Sequence, residues 1–171
     1  MSRFKTLALA FLMLSMSFNS VADSCHYVKE QKDPFTNETS WIAKEMACGI
    51  KTYMNLERIG DKFFLGFKIL TAAVVDEAFT TDKKVLLKLE NGDVIEVSTD
   101  TDVKPEAHAA SGAAWTTWVT RMSVSRDVYQ KLSKSPVVMI KYPVAAKEEL
   151  EEVRDRQGRK IMETAQCLIA H

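Results

Sequence analysis

Two alternating runs of apolar residues, one on each side of Gly60-Asp61, restrict the possible folds more than any other part of this sequence. The first run begins near Met46 and the second ends near Ile69. Alternation at every second residue is typical of a β-strand with one buried face, and a two-residue turn led by glycine aligns both apolar faces. A slip of one residue would place those faces on opposite sides. The predicted pairs are Leu56 with Leu65, Met54 with Phe67 and Thr52 with Ile69.

A second hairpin is predicted around Asn91-Gly92. A two-residue turn there would pair Leu87 with Glu96 and so mix apolar and polar faces. A three-residue loop at residues 90–92, with its glycine left-handed as a bulge, sends four apolar side chains to one core face. The sequence therefore predicts the bulged form, with Val85 opposite Val97 and Leu87 opposite Ile95.

The remaining segments predict an α+β fold. A strand at about 116–124 is followed by a short helix that Ser125 can cap, and by a strand at 137–142 between two prolines, which suits an edge or terminal strand. Apolar residues from about Ala146 to Ile169 recur at helical spacing, which indicates one long helix. We expect an antiparallel β-sheet of about six strands, with the C-terminal helix packed on its apolar face.

The first 22 residues have the layout of a secretory signal peptide. Arg3 and Lys5 precede an apolar run at 7–14, and Ser20-Val21-Ala22 ends with the small residues of a cleavage site. The apolar run is shorter than the roughly 20 residues that a membrane-spanning helix needs. We therefore expect residues 1–22 to be removed and residues 23–171 to form a single globular domain, periplasmic or secreted, with no membrane span after cleavage.

Charge and histidine spacing argue against several classes of function. Of 23 basic residues, Arg3 and Lys5 lie in the leader, so 21 remain beside 23 acidic residues and form no basic patch for nucleic acid. His26, His108 and His171 are scattered, so no metal site and no cofactor are predicted. If the chain termini meet, Cys25-His26 with His171 could bind copper, but a disulfide-bonded cysteine beside an exposed histidine is the preferred interpretation.

Three cysteines remain in the predicted mature chain, which allows one disulfide and one free thiol in an oxidising compartment. Cys48 lies on the apolar side of its predicted strand, where a thiol can pack without a partner. Cys25 is near the new N-terminus and Cys167 is on the flank of the C-terminal helix. We predict a Cys25–Cys167 disulfide, which would stabilise the fold by about 4–5 kcal/mol in the chain-entropy model, with Cys48–Cys167 as the alternative.

Residues 99–114 have neither a helical nor a strand period, and a long irregular loop in a compact domain is usually functional or mobile. It contains Asp100, Asp102, Glu106 and His108, and Trp115 follows it. Trp115 points away from the core by strand parity, and an exposed tryptophan is a frequent contact residue. These five residues are the candidate binding site, although for Trp115 itself packing under the loop is the preferred interpretation.

Parts of the sequence resemble uncharacterised bacterial exported proteins. The likeness lies in the opening Lys32-Asp33-Pro34-Phe35-Thr36, in the turn at 87–92 and in the Ser-capped helix before Ile140-Lys141-Tyr142. Such proteins open with an Asp-x-Phe-Thr element, continue through antiparallel strands and end in a helix. The resemblance implies this fold and an exported bacterial setting, and it transfers no catalytic residue.

These features favour a non-enzymatic periplasmic binding or accessory protein, whose partner is a protein or small ligand of the cell envelope. The chain has no phosphate-binding glycine loop and no nucleophile elbow. One alternative is an inhibitor or immunity protein that uses the 99–114 loop against a hydrolase. Another is an enzyme with an unfamiliar site of acidic residues and His108; an open pocket lined by these groups would favour it.

Overall fold

The computed structural model describes residues 25–171, so the predicted leader lies outside the described residues. The described chain forms ten β-strands and two α-helices. In chain order they are β1 Lys29–Lys32, β2 Thr39–Ala47, β3 Thr52–Ile59, β4 Lys62–Thr71, β5 Lys84–Leu89, β6 Val94–Ser98, β7 Glu106–Ala110, β8 Ala113–Val124, α1 Arg126–Leu132, β9 Val137–Val144, β10 Lys147–Glu152 and α2 Asp155–Ala170.

The strands form two antiparallel sheets. The larger sheet has the order β1-β2-β3-β4-β8-β7, and the smaller has the order β10-β9-β5-β6. One hydrophobic core draws side chains from both sheets and from both helices. Helix α2 contacts β2 and β3 of the larger sheet and β9 of the smaller one. The mostly antiparallel α+β class is therefore confirmed. The expectation of one sheet of about six strands is corrected, because the predicted strands divide between two sheets and β1, β2, β7 and β10 were not predicted as separate strands.

Both predicted hairpins are present in the predicted register. All three expected pairs join β3 to β4, and Gly60 has the positive φ, +54°, that the first position of the turn needs. In the second hairpin the expected pairs join β5 to β6, and Gly92 has a φ of +93°. The amide of Leu89 donates to the carbonyl of Asp93 at 2.8 Å, which closes the three-residue loop.

The strand predicted from Met46 onward is interrupted. Strand β2 ends at Ala47, and the turn at 48–51 reverses the chain into β3. Cys48 lies in that turn and is fully buried, so it is a core thiol without being part of a strand. The apolar alternation continues through Cys48 and Ile50, so the strand period does not mark the break.

The predicted C-terminal helix starts nine residues late. Residues 147–152 form β10, which pairs with β9, and α2 begins at Asp155. The glutamates of β10 suit an edge strand, because charge there discourages pairing with other chains. Strand β9 consequently lies inside the smaller sheet, between β10 and β5. The prediction of an edge or terminal position for this strand was therefore wrong.

The segment 99–114 is not one irregular loop. Its second half forms β7, which pairs with β8 at the edge of the larger sheet through a turn at Ser111-Gly112. Both turn residues have positive φ, +51° and +80°, as a tight hairpin turn requires. Val103 makes an isolated bridge to Phe79, so the first half is held as well.

The Cys25–Cys167 disulfide is present, and Cys48 is the free buried cysteine of the described chain, as predicted. Burial raises the pKa of the Cys48 thiol far above its ordinary value, which keeps it protonated and unreactive. No helix among residues 25–171 is both long enough and apolar enough to cross a membrane.

Candidate functional site

The larger sheet has one buried face and one face that is open to solvent. Met54, Leu56, Leu65, Phe67 and Trp118 point into the core and are at most 3% exposed. Residues one position away along the same strands point to the other side, because side chains alternate along a strand. We call this side the outer face; its principal residues are Tyr53, Glu57, Phe64, Lys68, His108, Trp115, Val119 and Arg121.

His108 and Trp115 form an aromatic pair at one end of the outer face. They are direct cross-strand partners in the β7–β8 hairpin, and their rings stack with centroids 5.5 Å apart and planes 21° from parallel. The Glu106 carboxylate lies 4.0 Å from His108 Nε2. Both rings are half-buried, so each is held in place and still presents surface to solvent. This arrangement confirms that Trp115 points away from the core.

Arg121 lies flat on Phe64 farther along the outer face. Its guanidinium carbon is 3.6 Å from the centroid of the Phe64 ring, which is a close cation–π contact. Its Nη2 and Nε atoms lie 2.8 and 2.9 Å from Oε2 of Glu57. The Arg121 side chain is nevertheless about half exposed. A long cationic side chain is thus held in one orientation before any partner arrives.

Val119 occupies the surface between these two groups. It lies on β8 between Trp115 and Arg121 and is 54% exposed, which is high for a β-branched side chain in an inner strand. Lys68 is its partner on β4, and Lys68 Nζ lies 3.8 Å from a carboxylate oxygen of Glu45. The outer face therefore combines exposed apolar area with cations that carry their own counter-charges.

Two of the five predicted site residues have a different role. An Asp100 carboxylate oxygen accepts the amide of Ser123 at 2.8 Å, and one of Asp102 accepts the amide of Thr81 at 2.9 Å. Both carboxylates hold the backbone of their segment against neighbouring chain. The structure brings Glu106, His108 and Trp115 together, and it leaves Asp100 and Asp102 as structural residues.

Sequence reasoning missed Phe64 and Arg121. The signal for Phe64 was present, because it is an apolar residue at a polar-face position of an otherwise alternating strand. Arg121 had no comparable signal, since its contact with Phe64 depends on the pairing of β4 with β8, which lie about 50 residues apart in the chain.

A concave region of about 420 Å³ lies elsewhere, between the β2–β3 turn and β10. Its central carboxylate is Glu151, which accepts hydrogen bonds from Tyr142 Oη, from Thr52 Oγ1 at 3.0 Å and from the Lys51 amide at 3.1 Å. Partial burial acts to raise the pKa of Glu151, but these hydrogen bonds together hold it below the ordinary value. The hydrogen bonds that this carboxylate accepts all come from groups of the same chain, so Glu151 has a structural role: it links β10 to β3 and to the turn before β3.

A group of potential metal ligands forms where the two ends of the described chain meet. The ligand atoms of Cys25, Cys167 and His171 all lie within 4.8 Å of one another. His26 is not in this group, so the copper arrangement considered from the sequence is only partly present. Both sulfur atoms are bonded to each other in the disulfide.

Comparison with known proteins identifies no significant relative: no family model, no curated protein and no solved structure matches this chain. The resemblance to exported proteins with an Asp-x-Phe-Thr opening stays a prediction.

Proposed function

We propose that this chain is a non-enzymatic binding protein of the cell envelope and that it docks a partner protein on its outer face. The observation that carries the proposal is the open row of Trp115, Val119 and Arg121 along β8. The α2 helix lies on the other side of the sheet, where its Leu168 carbonyl accepts a hydrogen bond from the buried Arg58. This leaves the row free to make contacts.

The residue types of the row suit a protein partner. Tryptophan, tyrosine and arginine dominate the binding energy of protein interfaces. Trp115 is stacked on His108 and Arg121 is held by Phe64 and Glu57, so little side-chain entropy remains to be lost on binding. A small ligand would be bound in a concave pocket, and the outer face is a sheet surface.

The charges of the outer face argue against nucleic acid as the partner. Arg121 is paired with Glu57 at 2.8 Å, and Lys68 is paired with Glu45 at 3.8 Å. A phosphate backbone needs cations that can exchange their counterions for phosphate, and here the counter-charges are fixed carboxylates of the same chain.

An exported location is part of the proposal. The Cys25–Cys167 disulfide supports it, because disulfides persist in oxidising compartments and are rare in the cytosol. The layout of residues 1–22 points the same way. An inhibitor or immunity role against a hydrolase would use the same surface, and the identity of the partner distinguishes it from an accessory role.

The enzymatic alternative has less support. It needs acidic residues free to act beside His108, whereas Asp100 and Asp102 each accept a backbone amide. Glu106 remains available at 4.0 Å from His108 Nε2. One carboxylate and one imidazole on an exposed edge hairpin do not exclude water or enclose a substrate.

Site-specific photocrosslinking in the producing cells tests the proposal. A photoreactive phenylalanine replaces Val119, and the matched control replaces Val94, which is 55% exposed on β6 of the smaller sheet. We expect a discrete protein adduct from position 119, its loss when Trp115→Ala is added, and no such adduct from position 94. Equal labelling from both positions, or an adduct that persists with Trp115→Ala, would contradict docking on the outer face.

A further inference from the structure

The disulfide and His171 form a compact group at the junction of the N-terminal segment with the end of α2. Cys25 Sγ lies 3.6 Å from His171 Nε2, and the Cα atoms of the two cysteines are 5.2 Å apart. Cys167 is buried, Cys25 is half-buried and His171 is exposed. The group is therefore anchored in the fold on one side and accessible to solvent on the other.

We propose that this group is a redox-gated metal site: when a dithiol reductant opens the Cys25–Cys167 disulfide, the two thiolates and the His171 imidazole bind one Cu(I) ion. This inference goes beyond the proposed partner docking and does not depend on it. In the oxidised chain both sulfur atoms are committed to each other, so only the reduced chain offers the three ligands.

The chemistry balances with the dithiol as the only co-reactant. Two electrons from the dithiol break the sulfur–sulfur bond, each cysteine gains a proton, and the dithiol becomes a disulfide. Cu(I) then replaces the thiol protons, which are released to solvent. The sulfur atoms only need to separate from bonding distance, because the three ligand atoms already lie within 4.8 Å of one another.

The ligand set favours Cu(I) over other ions. Thiolate sulfur is a soft ligand that selects Cu(I) and Zn²⁺, and imidazole suits both. Zn²⁺ is almost always four-coordinate and would need a water as its fourth ligand. Among the described residues the group has three ligands, two of them sulfur, which is a better match to Cu(I).

Neighbouring residues orient the imidazole and hold the end of α2 in place. The His171 ring stacks on Trp41 with centroids 5.3 Å apart and planes 14° from parallel, which holds Nε2 toward Cys25. Arg58 donates from Nη1 to the carbonyl of Leu168, the residue after Cys167, at 3.0 Å. This hydrogen bond and the Trp41 stack hold the end of α2, which carries Cys167 and His171, against the rest of the fold.

The test uses the mature chain with Cys48→Ala, which removes the third thiol. The probe is Cu(I) supplied from its bicinchoninate complex under nitrogen, added to the dithiol-reduced chain after the dithiol has been removed. We expect one Cu(I) per reduced chain, none for the oxidised chain, and X-ray absorption showing two sulfur ligands and one nitrogen ligand. No transfer of copper, or scattering from sulfur alone, would overturn the proposal.

Two histidine variants distinguish a specific metal site from nonspecific binding of Cu(I) by thiols. His171→Ala should weaken Cu(I) binding by at least about tenfold, since even outer-shell partners of a metal are worth 10–100-fold in affinity. His26→Ala, which alters the histidine next to Cys25, should bind as the unaltered chain does. Equal affinities for all three proteins would contradict a role for His171.

Thermal melting shows whether the reduced chain binds copper in its folded form. A ligand that binds only the folded state raises the melting temperature. We expect Cu(I) to raise the melting temperature of the reduced chain and to raise that of His171→Ala by less. If Cu(I) leaves the melting temperature of the reduced chain unchanged or lowers it, binding to unfolded chain explains the uptake and the proposal fails.

Discussion

Replacement of Glu151 should reveal how the two sheets are joined. Its carboxylate accepts hydrogen bonds from Tyr142 and Thr52, whose side chains are at most 1% exposed, and from the Lys51 amide. A hydrogen bond to a charged group contributes about 1.5–3 kcal/mol, but Tyr142 and Thr52 share the Oε1 atom of Glu151 and the adjoining cavity admits water. We therefore expect Glu151→Ala to lower the free energy of unfolding by about 3 kcal/mol.

A neighbouring glutamate provides the control. Glu149 lies on the same strand and pairs with Lys51 at 3.7 Å, with both side chains well exposed. Such surface ion pairs contribute little, so Glu149→Ala should cost less than about 1 kcal/mol. Urea unfolding, followed by tryptophan fluorescence, measures both variants. If Glu151→Ala lowers the free energy of unfolding by less than about 1 kcal/mol, Glu151 does not join the two sheets as described.

Gly49 gives an independent measure of the same contact. A Cβ at Gly49 would lie 1.8 Å from Glu151 Oε2 and 2.7 Å from its Cδ. Gly49→Ala should therefore displace the carboxylate and destabilise the fold. In the Glu151→Ala background those two contacts vanish and only the Glu151 Cβ remains close, at 2.9 Å, so the same change should cost less. Strictly additive losses would contradict the reasoning.

The pH dependence of stability has a predicted sign. Because the folded chain lowers the pKa of Glu151, its ionised form contributes stability that is fully present above the unfolded pKa of about 4.3. That contribution is lost as pH falls through the lower folded pKa. The stability advantage of the unaltered chain over Glu151→Gln should be constant near neutral pH and shrink below about pH 4.

Three further predictions concern the core, the helix and export. Phe67→Ala should lower the free energy of unfolding in urea by roughly 3–5 kcal/mol, because Phe67 is fully buried. Phe35 is 92% exposed, so Phe35→Ala should change the free energy of unfolding very little. Similar losses for the two variants would show that the wrong face of the hairpin has been assigned to the core. Gly158→Ala should lower the free energy of unfolding by about 2 kcal/mol, although alanine has the higher helix propensity, because the added Cβ would lie 2.3 Å from the carbonyl oxygen of Val137. A variant that is more stable than the unaltered chain would show that α2 can move away from Val137. Mass spectrometry of protein from the producing cell should find Asp23 as the first residue, and an intact Met1 form in the cytoplasm would disprove export.

The hairpins could be predicted because one register alone buries both apolar faces. Leu56 opposite Leu65 and Leu87 opposite Ile95 each follow from alternation together with a glycine turn. The turn at 48–51 could not be predicted in this way. Cys48 continues the apolar alternation and is buried in the turn, so local pattern and tertiary burial agree on a residue that does not belong to a strand.

The edge strands β7 and β10 escaped prediction because their composition favours other structures. Strand β10 contains four glutamates, some of which lie four residues from other charged residues, a spacing typical of a helix surface. Strand β7 is mostly alanine, which is depleted in strands. Each forms because a neighbouring strand supplies the pairing. The His108–Trp115 stack depends on β7, and the Arg121–Phe64 contact depends on the pairing of β4 with β8. Most of the candidate site was therefore visible only in three dimensions.

The binding role of the outer face can be measured directly with the purified crosslinked partner. Calorimetric titration would compare the unaltered chain, Trp115→Ala and the control Val94→Ala, each shown by urea unfolding to be folded. We expect Trp115→Ala to weaken binding by about 2 kcal/mol, which is roughly 30-fold in Kd, and Val94→Ala to leave Kd within about twofold. An unchanged Kd for Trp115→Ala would contradict docking on the outer face.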